Sequence, residues 1–423
     1  MGSTIAVIGA GYVGLTTGAC FAHLGHKVTC ADVVEAKVDS LQRGEIPIHE
    51  AGLEELVRAG MDNGNLSFVV DSEKAVRDAE FVYLCVPTPQ TADGPADLRY
   101  LTAAVQQISP HLQPGTIVVN KSTVPVGSTL LVEQALGRSD IPVVSNPEFL
   151  REGSAVDDFL HPDRVVIGSD DEAAASHVAS LYVDCGAPIM VTDPASAETC
   201  KYAANAFLAA KLSFTNAIAA VCEAVGADVN DVLLGMGYDH RIGHEFLRPG
   251  PGWGGSCLPK DSNAIISIAE DAGYDFALMR GVIQANDEQF DRIVRKVESV
   301  TSLDGATVGV LGIAFKAGTD DTRESPAIEV MKRLLAKGAM VKAYDPAVAS
   351  LNLDGVDVVG SAYAACEGAS AIVVATEWDE FTSLDFDRVG TLVAERNMID
   401  ARNLLDRDAL TKRGFTYQGV GRS

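Results

Sequence analysis

The stretch TIAVIGAGYVGLTTGACFAHLG (4–25) constrains the fold more than any other part of the chain. A short apolar run stops at three glycines spaced 9, 11 and 14 and passes directly into an apolar-periodic helix ending near Gly25. The next apolar run, KVTCAD (27–32), closes on an acid, Asp32. A bare GxGxxG is weak; with a strand before it, a helix behind it and an acid ending the next strand it becomes a dinucleotide fingerprint. Gly9 makes the turn, Gly11 lets a pyrophosphate approach, and Gly14 packs helix on strand. The helix that opens at Tyr12 and Val13 offers backbone N–H groups to phosphate. Asp32 would accept from an adenosine ribose diol, which selects NAD over NADP. Lys37 is placed to meet a 2′-phosphate instead, and the bare turn with no ligand is the simplest alternative.

Further strands are expected at EFVYLCVP, TIVVNKST, PVVSNPEF and RVVIGS, with helices such as DLRYLTAAVQQIS between them. Alternation of this kind builds a doubly wound parallel sheet. From Pro194 to about Gly226 the chain turns Ala-rich with helical spacing, predicting one helix roughly 45 Å long. Proline suits its first turn and glycine its stop, and a helix of that length joins domains or seeds a dimer. More helix follows through 300. TVGVLGIAFK, LLAKGAMVKAYDP, GASAIVVATEW and NMIDARN then echo the first segment in order. The predicted fold is α/β: two Rossmann-like doubly wound parallel sheets joined by a helical middle domain with a long central helix. The divisions fall at 1–195, 196–300 and 301–423. The second sheet lacks the fingerprint glycines after Gly312, so it should hold a different ligand or none.

Net charge is −25, which argues against a nucleic-acid partner. No uninterrupted apolar run approaches the ~20 residues of a membrane span, and no secretory leader pattern opens the chain. The eight cysteines stand singly with no CxxC pair, which points to a reduced, cytoplasmic protein without a zinc ribbon. His240 and His244 lack a third ligand pattern, so no metal is expected.

Several motifs carry chemistry. Thr88 in VPTP and Thr123 in KSTVPVG end successive strands, where open α/β sheets hold ligands; the alternative is a turn-stabilising hydroxyl. In NPEFLREGSA, Glu148 and Glu152 stand four apart, so one helical turn would bring both to one face, either to activate water or simply to face solvent. Lys201 and Asn205 share that spacing in an apolar helix and would donate together to one oxyanion, unless Lys201 merely snorkels. In GPGWGGSCLPKD (250–261) the glycines let backbone come close to a ligand. Pro259 ends the loop, and Asp261 reads as the N-cap of the helix that follows. Cys257 then precedes a helix N-terminus beside Lys260, a setting that lowers a thiol pKa. Such a thiolate adds to an aldehyde, and the adduct loses hydride to become a thioester.

Taken in order, GAGYVG, KSTVPVG, NPEFLREG, KYAANAFLA, RIGHEFLRPGPGWGGSCLPKD and GIAFKAGTDDTRESP closely resemble the UDP-glucose/GDP-mannose dehydrogenase family, from about residue 5 to 405. The resemblance implies oxidation of a sugar-nucleotide CH2OH to carboxylate with two NAD, in a homodimer joined through the central helix. It makes Cys257 the nucleophile. Asp261 and Thr123 would hold a water, Lys201 and Asn205 would steady oxyanions, and Glu148 would serve the hydrolytic step. Glu152, with Phe149 and Leu150, would contact ligand. Arg323 would reach the NAD pyrophosphate and Lys260 would lie on the NAD side. Phe246, Leu247, Arg248, Gly250 and Gly254 would line the uridine-diphosphate site, with Lys316 and Arg402 completing it. Arg241 would reach the neighbouring subunit's substrate. FLRPGPGWGG favours UDP-glucose. Leu258 stands where an aromatic is commoner in UDP-glucose enzymes, which keeps GDP-mannose or a UDP-N-acetylhexosamine as the alternative. A two-electron hydroxyacid dehydrogenase and a non-catalytic NAD sensor are the rival classes.

Overall fold

The computed structural model describes residues 2–89 and 97–422. The chain divides into two compact units, Met1–Ala204 and Asn205–Ser423.

The first unit is built on eight strands: β1 (Thr4–Ile8), β2 (Lys27–Ala31), β3 (Leu66–Val69), β4 (Phe81–Leu84), β5 (Ile117–Asn120), β6 (Val143–Ser145), β7 (Val165–Gly168) and β8 (Ile189–Thr192). Their order is β3-β2-β1-β4-β5-β6-β7-β8. The central strands β4 and β5 are buried throughout and continuously apolar up to Asn120, as a sheet covered on both faces requires. An aromatic cluster anchors one face: Phe21 meets Tyr83, Phe159 and Tyr182 at centroid distances of 5.1, 5.0 and 5.3 Å. Two strands, β3 and β8, lie outside the apolar runs singled out in the sequence. The sheet also departs from the expected all-parallel form, because β6 and β7 pair antiparallel through Ser145 and Gly168. After Ser145 the chain stays at the carboxyl edge, where the helix Ala155–Leu160 seats Phe159 on Phe21, and β7 therefore sets out from that edge. The reversal keeps residues 146–164 over the end of the sheet where ligands of such folds bind.

The second unit carries β9 (Thr307–Leu311), β10 (Met340–Tyr344), β11 (Val356–Val358), β12 (Ala371–Val374), β13 (Asn397–Asp400) and β14 (Thr416–Gly419), all parallel, in the order β11-β10-β9-β12-β13-β14. This is the order of the first six strands again, and the register repeats too: Thr4 faces Lys27 as Thr307 faces Met340, and Ile8 faces Leu84 as Leu311 faces Val374. The turns also match. Gly9 N–H donates to Ala31 O at 2.8 Å, and Gly312 N–H to Tyr344 O at 2.7 Å. Asp345 ends β10 as Asp32 ends β2, and it accepts from Ile313, Ala314 and Ala347 N–H and from the Trp378 indole at 3.2 Å. The internal echo read from the sequence is therefore a repeated fold.

The long helix runs Pro194–Val225, and Gly226 follows with φ +75°, the left-handed stop that glycine permits. By length and a mean hydropathy of 1.3 it is apolar enough to cross a membrane, a property that a search for uninterrupted apolar runs passes over because Glu198, Lys201 and Lys211 break them. The helix expected after the glycine loop begins earlier than Asp261. It spans Leu258–Asp271 with Cys257 at the N-cap and Pro259 in the first turn, where a missing N–H costs nothing.

Gly312 and Gly235 make a contrast. A Cβ on Gly312 would lie 2.1 Å from Thr376 Oγ1 at φ +108°, whereas Gly235 is helical with open space around it. Gly312→Ala should cost about 2–4 kcal/mol, and Gly235→Ala should stabilise by about 0.5–1 kcal/mol. Thermal unfolding midpoints should move in opposite directions.

Candidate active site

The fingerprint turn is sterically closed on two sides and open on the third. A Cβ on Gly9 would sit 2.4 Å from Cys85 O and one on Gly14 would sit 1.8 Å from Gly9 O, so both positions are held to glycine by backbone. A Cβ on Gly11 would meet nothing within 4 Å. That gap lies at the start of the helix Tyr12–His23, whose N-terminus has no side-chain cap. Asp32 Oδ2 accepts Ala10 N–H at 3.0 Å and Oδ1 accepts Val34 N–H at 3.0 Å. Lys37 Nζ lies 2.8 Å from Asp32 Oδ2, so in this structure it pairs with the acid. Burial raises the Asp32 carboxyl, but Lys37 and the two N–H groups outweigh it and hold the group below the usual carboxylate range. An open anion gap at a helix start beside an ionised acid fits NAD. Thr88 Oγ1 donates to Thr123 O at 2.7 Å, joining the two candidate hydroxyl residues at the ends of β4 and β5.

The segment carrying Glu148 and Glu152 is a loop rather than the expected helical turn, so the two carboxylates do not share a helix face. Pro147 and Gly153 interrupt it. Glu148 is buried, its Oε1 2.9 Å from Lys201 Nζ and its Oε2 accepting Leu150 N–H at 2.7 Å. Burial pushes this carboxyl up, while Lys201, the Leu150 N–H and Lys121 together hold it below its ordinary value. Two cations approach the Phe149 ring, Arg164 at 3.6 Å and Lys201 at 5.6 Å from its centroid.

Three residues in this unit escaped the sequence reading. Glu50 accepts the Tyr12 hydroxyl, Gly153 N–H at 2.7 Å and Ala155 N–H at 2.9 Å, tying the fingerprint helix to the 146–155 loop. Glu198, on the long helix, accepts Gly127 N–H at 2.6 Å and Thr129 N–H at 2.9 Å and so caps the helix Ser128–Leu136. Lys121 is buried at the end of β5. The usable signal was a lone charge inside an apolar run, as in VVNKST and SAETC.

In the second unit the glycine loop is pinned by side chains. Gly250 N–H donates to Asn216 Oδ1 and Gln289 Nε2 donates to Gly250 O, at 2.8 and 2.7 Å. Asn286 bonds both backbone groups of Trp253, at 2.8 and 2.9 Å, and the buried indole donates to Ser213 Oγ at 2.8 Å. A Cβ on Gly254 would lie 1.8 Å from Glu324 O. The loop delivers Cys257, half-buried, to the N-terminus of Leu258–Asp271, with Sγ 3.5 Å from Ser256 Oγ. Asp261 is fully buried in the first turn. Its Oδ2 accepts Asn205 Nδ2 at 2.6 Å and its Oδ1 pairs with Lys260 Nζ at 2.5 Å. Lys260, Asp261 and Asn205 thus come together as one group, with Cys257 one helical turn earlier at the N-cap of the same helix.

Arg402 donates to Ala375 O at 2.9 Å and Phe315 O at 3.2 Å and stands beside Gly250, where a Cβ would meet its guanidinium at 3.2 Å. Lys316 lies over the Phe315 ring at 5.6 Å. Phe246 takes φ +59°, unusual for a bulky residue, and turns the chain so that Leu247 is buried while Arg248 stays exposed. Arg323 is held bidentate by Asp321, and Arg241 by Asp239.

A fingerprint turn on a sheet of this order, with an acid on its second strand, is the cofactor half of a nicotinamide-dinucleotide dehydrogenase. Family models match along the length of the chain: the UDP-glucose/GDP-mannose dehydrogenase family NAD binding domain over residues 3–185, its central domain over 195–288 and its UDP binding domain over 309–407. The chain belongs to the UDP-glucose/GDP-mannose dehydrogenase family. It is 46% identical over 428 residues to the UDP-glucose 6-dehydrogenase TuaD of Bacillus subtilis (strain 168), covering 99% of this chain and 93% of that one. It is 44% identical over 434 residues to a UDP-glucose 6-dehydrogenase of Rhizobium meliloti (strain 1021), covering 99% of each. Among solved structures, a UDP-glucose dehydrogenase from Pyrobaculum islandicum superposes with a TM-score of 0.91 at 38% identity, over 100% of this chain and 98% of that one. The cofactor is NAD.

Gly11→Ala tests the open gap. Because the added Cβ meets no protein atom within 4 Å, the unfolding midpoint should stay at the wild-type value. NAD binding by titration calorimetry should weaken at least about tenfold.

Proposed function

We propose that this chain oxidises the C6 alcohol of UDP-glucose to the carboxylate, giving UDP-glucuronate, with two equivalents of NAD. The observation that carries the reading is the buried Asp261–Asn205 pair one helical turn after the half-buried Cys257 at a helix N-cap, on a chain alike over 99% of its length to named UDP-glucose 6-dehydrogenases. Bound NAD would supply the hydride acceptor for both oxidations at C6. Asp261, with Thr123, holds the water that takes the C6 hydroxyl proton, while the Lys201 ammonium and Asn205 amide donate to the oxygen as its charge grows. The Cys257 thiolate adds to the aldehyde carbon, and the resulting thiohemiacetal oxygen takes up the proton. Loss of that proton and of the second hydride leaves a thioester. Water, polarised by Glu148, then displaces the thiolate and leaves the carboxylate. Gly250, Gly254, Phe246, Leu247, Arg248, Lys316 and Arg402 serve the uridine diphosphate. Glu152, Phe149 and Leu150 serve the sugar. Lys260 and Arg323 serve the cofactor, and Arg241 a neighbouring subunit's substrate.

The functional divisions are 1–195 for NAD, 196–300 for dimerisation and 301–423 for the UDP-sugar. A homodimer through the long helix is supported by its exposed apolar residues: Phe207, Phe214 and Val221 recur every seventh position, with Val225 one turn further on. A stripe of this kind on an otherwise acidic surface is the mark of a covered face. Eight free thiols support a reducing, cytoplasmic setting, and polysaccharide precursor supply is the role such a product serves.

With NAD and UDP-glucose the protein should release two NADH per sugar and no free aldehyde, and turnover of GDP-mannose or a UDP-N-acetylhexosamine should be at least tenfold slower. One NADH per sugar, or a preference for another nucleotide sugar, would overturn the assignment. Cys257→Ser should lose the acid product, because an alkoxide leaves an ester far more slowly than a thiolate leaves a thioester. Light scattering of a Phe207→Glu, Phe214→Glu double variant should report a monomer.

A further inference from the structure

A buried charge in the first unit has no part in the chemistry above. Lys121 follows β5 directly and is 4% exposed. Its ammonium bonds two neutral oxygens, Asn146 Oδ1 at 3.2 Å and the Tyr182 hydroxyl at 3.3 Å, and lies 5.7 and 5.6 Å from the ring centroids of Phe159 and Tyr182. Burying an ammonium on neutral partners is costly, and two aromatic faces offset only part of the cost. Asn146, which also accepts the Tyr182 hydroxyl at 2.6 Å and donates to Val166 O at 2.9 Å, opens the loop that bears Glu148. The titratable groups facing Lys121 are Cys20, Cys85, Cys185, Tyr182, Glu148 and Lys201. Burial pushes the thiols of Cys20 and Cys85 up to about 12 and raises Cys185 and Tyr182, so all four stay neutral at working pH. The charged groups in its field are therefore Glu148 and Lys201.

We infer that Lys121 is a positioning residue: a fixed cation, bonded to Asn146 at the root of the loop that bears Glu148, that keeps this carboxylate ionised when the Lys201 ammonium turns from it to the substrate oxygen. The inference rests on the reading of Glu148 and Lys201 as reaction-centre residues. Lys201 has one ammonium to share between Glu148 and a developing alkoxide. Without a second cation Glu148 would be left buried with the Leu150 N–H and no counter-charge at that moment, would take up a proton, and would lose its capacity to polarise water. Lys121 makes no bond to substrate in this account. It acts by charge through Glu148 and by holding Asn146 at the root of the loop.

The test is the pH profile of kcat for Lys121→Met, Lys121→Arg and Glu148→Gln, with KM for nucleotide sugar measured alongside. Removing a cation lets a neighbouring carboxyl take up its proton at higher pH. In Lys121→Met the acid limb of kcat should therefore move up by about one pH unit, kcat at a pH on that limb should fall about tenfold, and KM should stay within threefold. Lys121→Arg, which keeps the charge, should return the acid limb to its wild-type position. An unmoved acid limb in Lys121→Met, or a Lys121→Arg variant no better than Lys121→Met, overturns the inference. If Glu148→Gln abolishes the acid limb while Lys121→Met leaves it in place, this inference alone fails. If Glu148→Gln leaves rate and profile unchanged, the reading of Glu148 fails and this inference falls with it. Should Lys121→Met not fold, Tyr182→Phe keeps the ring and the cation but removes one acceptor. The Lys121 ammonium, already pushed down to about 8 by burial, should then lose its proton at lower pH, and the alkaline limb of kcat should move down. An unmoved alkaline limb in that variant overturns the inference equally.

Discussion

The ion pair between Glu148 and Lys201, 2.9 Å long with both side chains buried, is the constraint around which the first unit is arranged. A pair of this kind is tolerated only when the remaining lone pairs and protons are satisfied and the geometry is held, because either partner alone would be a bare charge in a low-dielectric site. Both sides of it are secured. The loop that carries Glu148 is fastened at its start by Asn146 and at its end by Glu50, which collects two of its N–H groups and the Tyr12 hydroxyl. The helix that carries Lys201 is fastened one turn earlier by Glu198, through the start of the helix Ser128–Leu136. The reversal of β7 belongs to the same arrangement, since it keeps the loop at the carboxyl edge of the sheet.

The two sheets show how one fold is turned to two purposes. Both copies use an acid at the end of the second strand to collect the N–H groups of the turn after the first. In the first copy that turn opens at Gly11 and leads into a helix. In the second, Ile313, Ala314 and Phe315 fill the corresponding path, the next helix begins only at Pro326, and Arg402 and Lys316 bring positive charge near the strand ends. A dinucleotide turn with its glycines replaced keeps its scaffold and loses its phosphate gap, which agrees with the match of this segment to a UDP binding domain.

Much of this was legible in the sequence because the signals are local. The fingerprint, the capping glycine at 226 and the apolar runs of the central strands each report on neighbours within a few residues. What stayed hidden depends on partners far along the chain. The 146–154 segment has helical carboxylate spacing, yet Pro147 and Gly153 and the pull of Glu50, about a hundred residues away, make it a loop. Asp261 has the composition of an N-cap, but Pro259 at the first turn moves the helix start back to Cys257 and carries Asp261 inside, onto Asn205. The strands β3 and β8 are short, and β8 is half-exposed at the sheet edge, so neither has the apolar length that marks a buried strand. Glu50, Lys121 and Glu198 are single charges whose meaning lies in hydrogen bonds across 25 to 105 residues of chain.

The chain holds two tryptophans, and each is wired to a different piece of the machinery. The Trp253 indole lies in a dry setting four residues before Cys257, its backbone clasped by Asn286. The Trp378 indole donates to Asp345, the acid that organises the second sheet's turn. A protein so arranged contains its own pair of optical gauges. Emission from the enclosed indole follows the glycine loop, and emission from the carboxylate-bound one follows the turn beside Arg402, so single-tryptophan versions would separate the two events by colour and intensity without any added label.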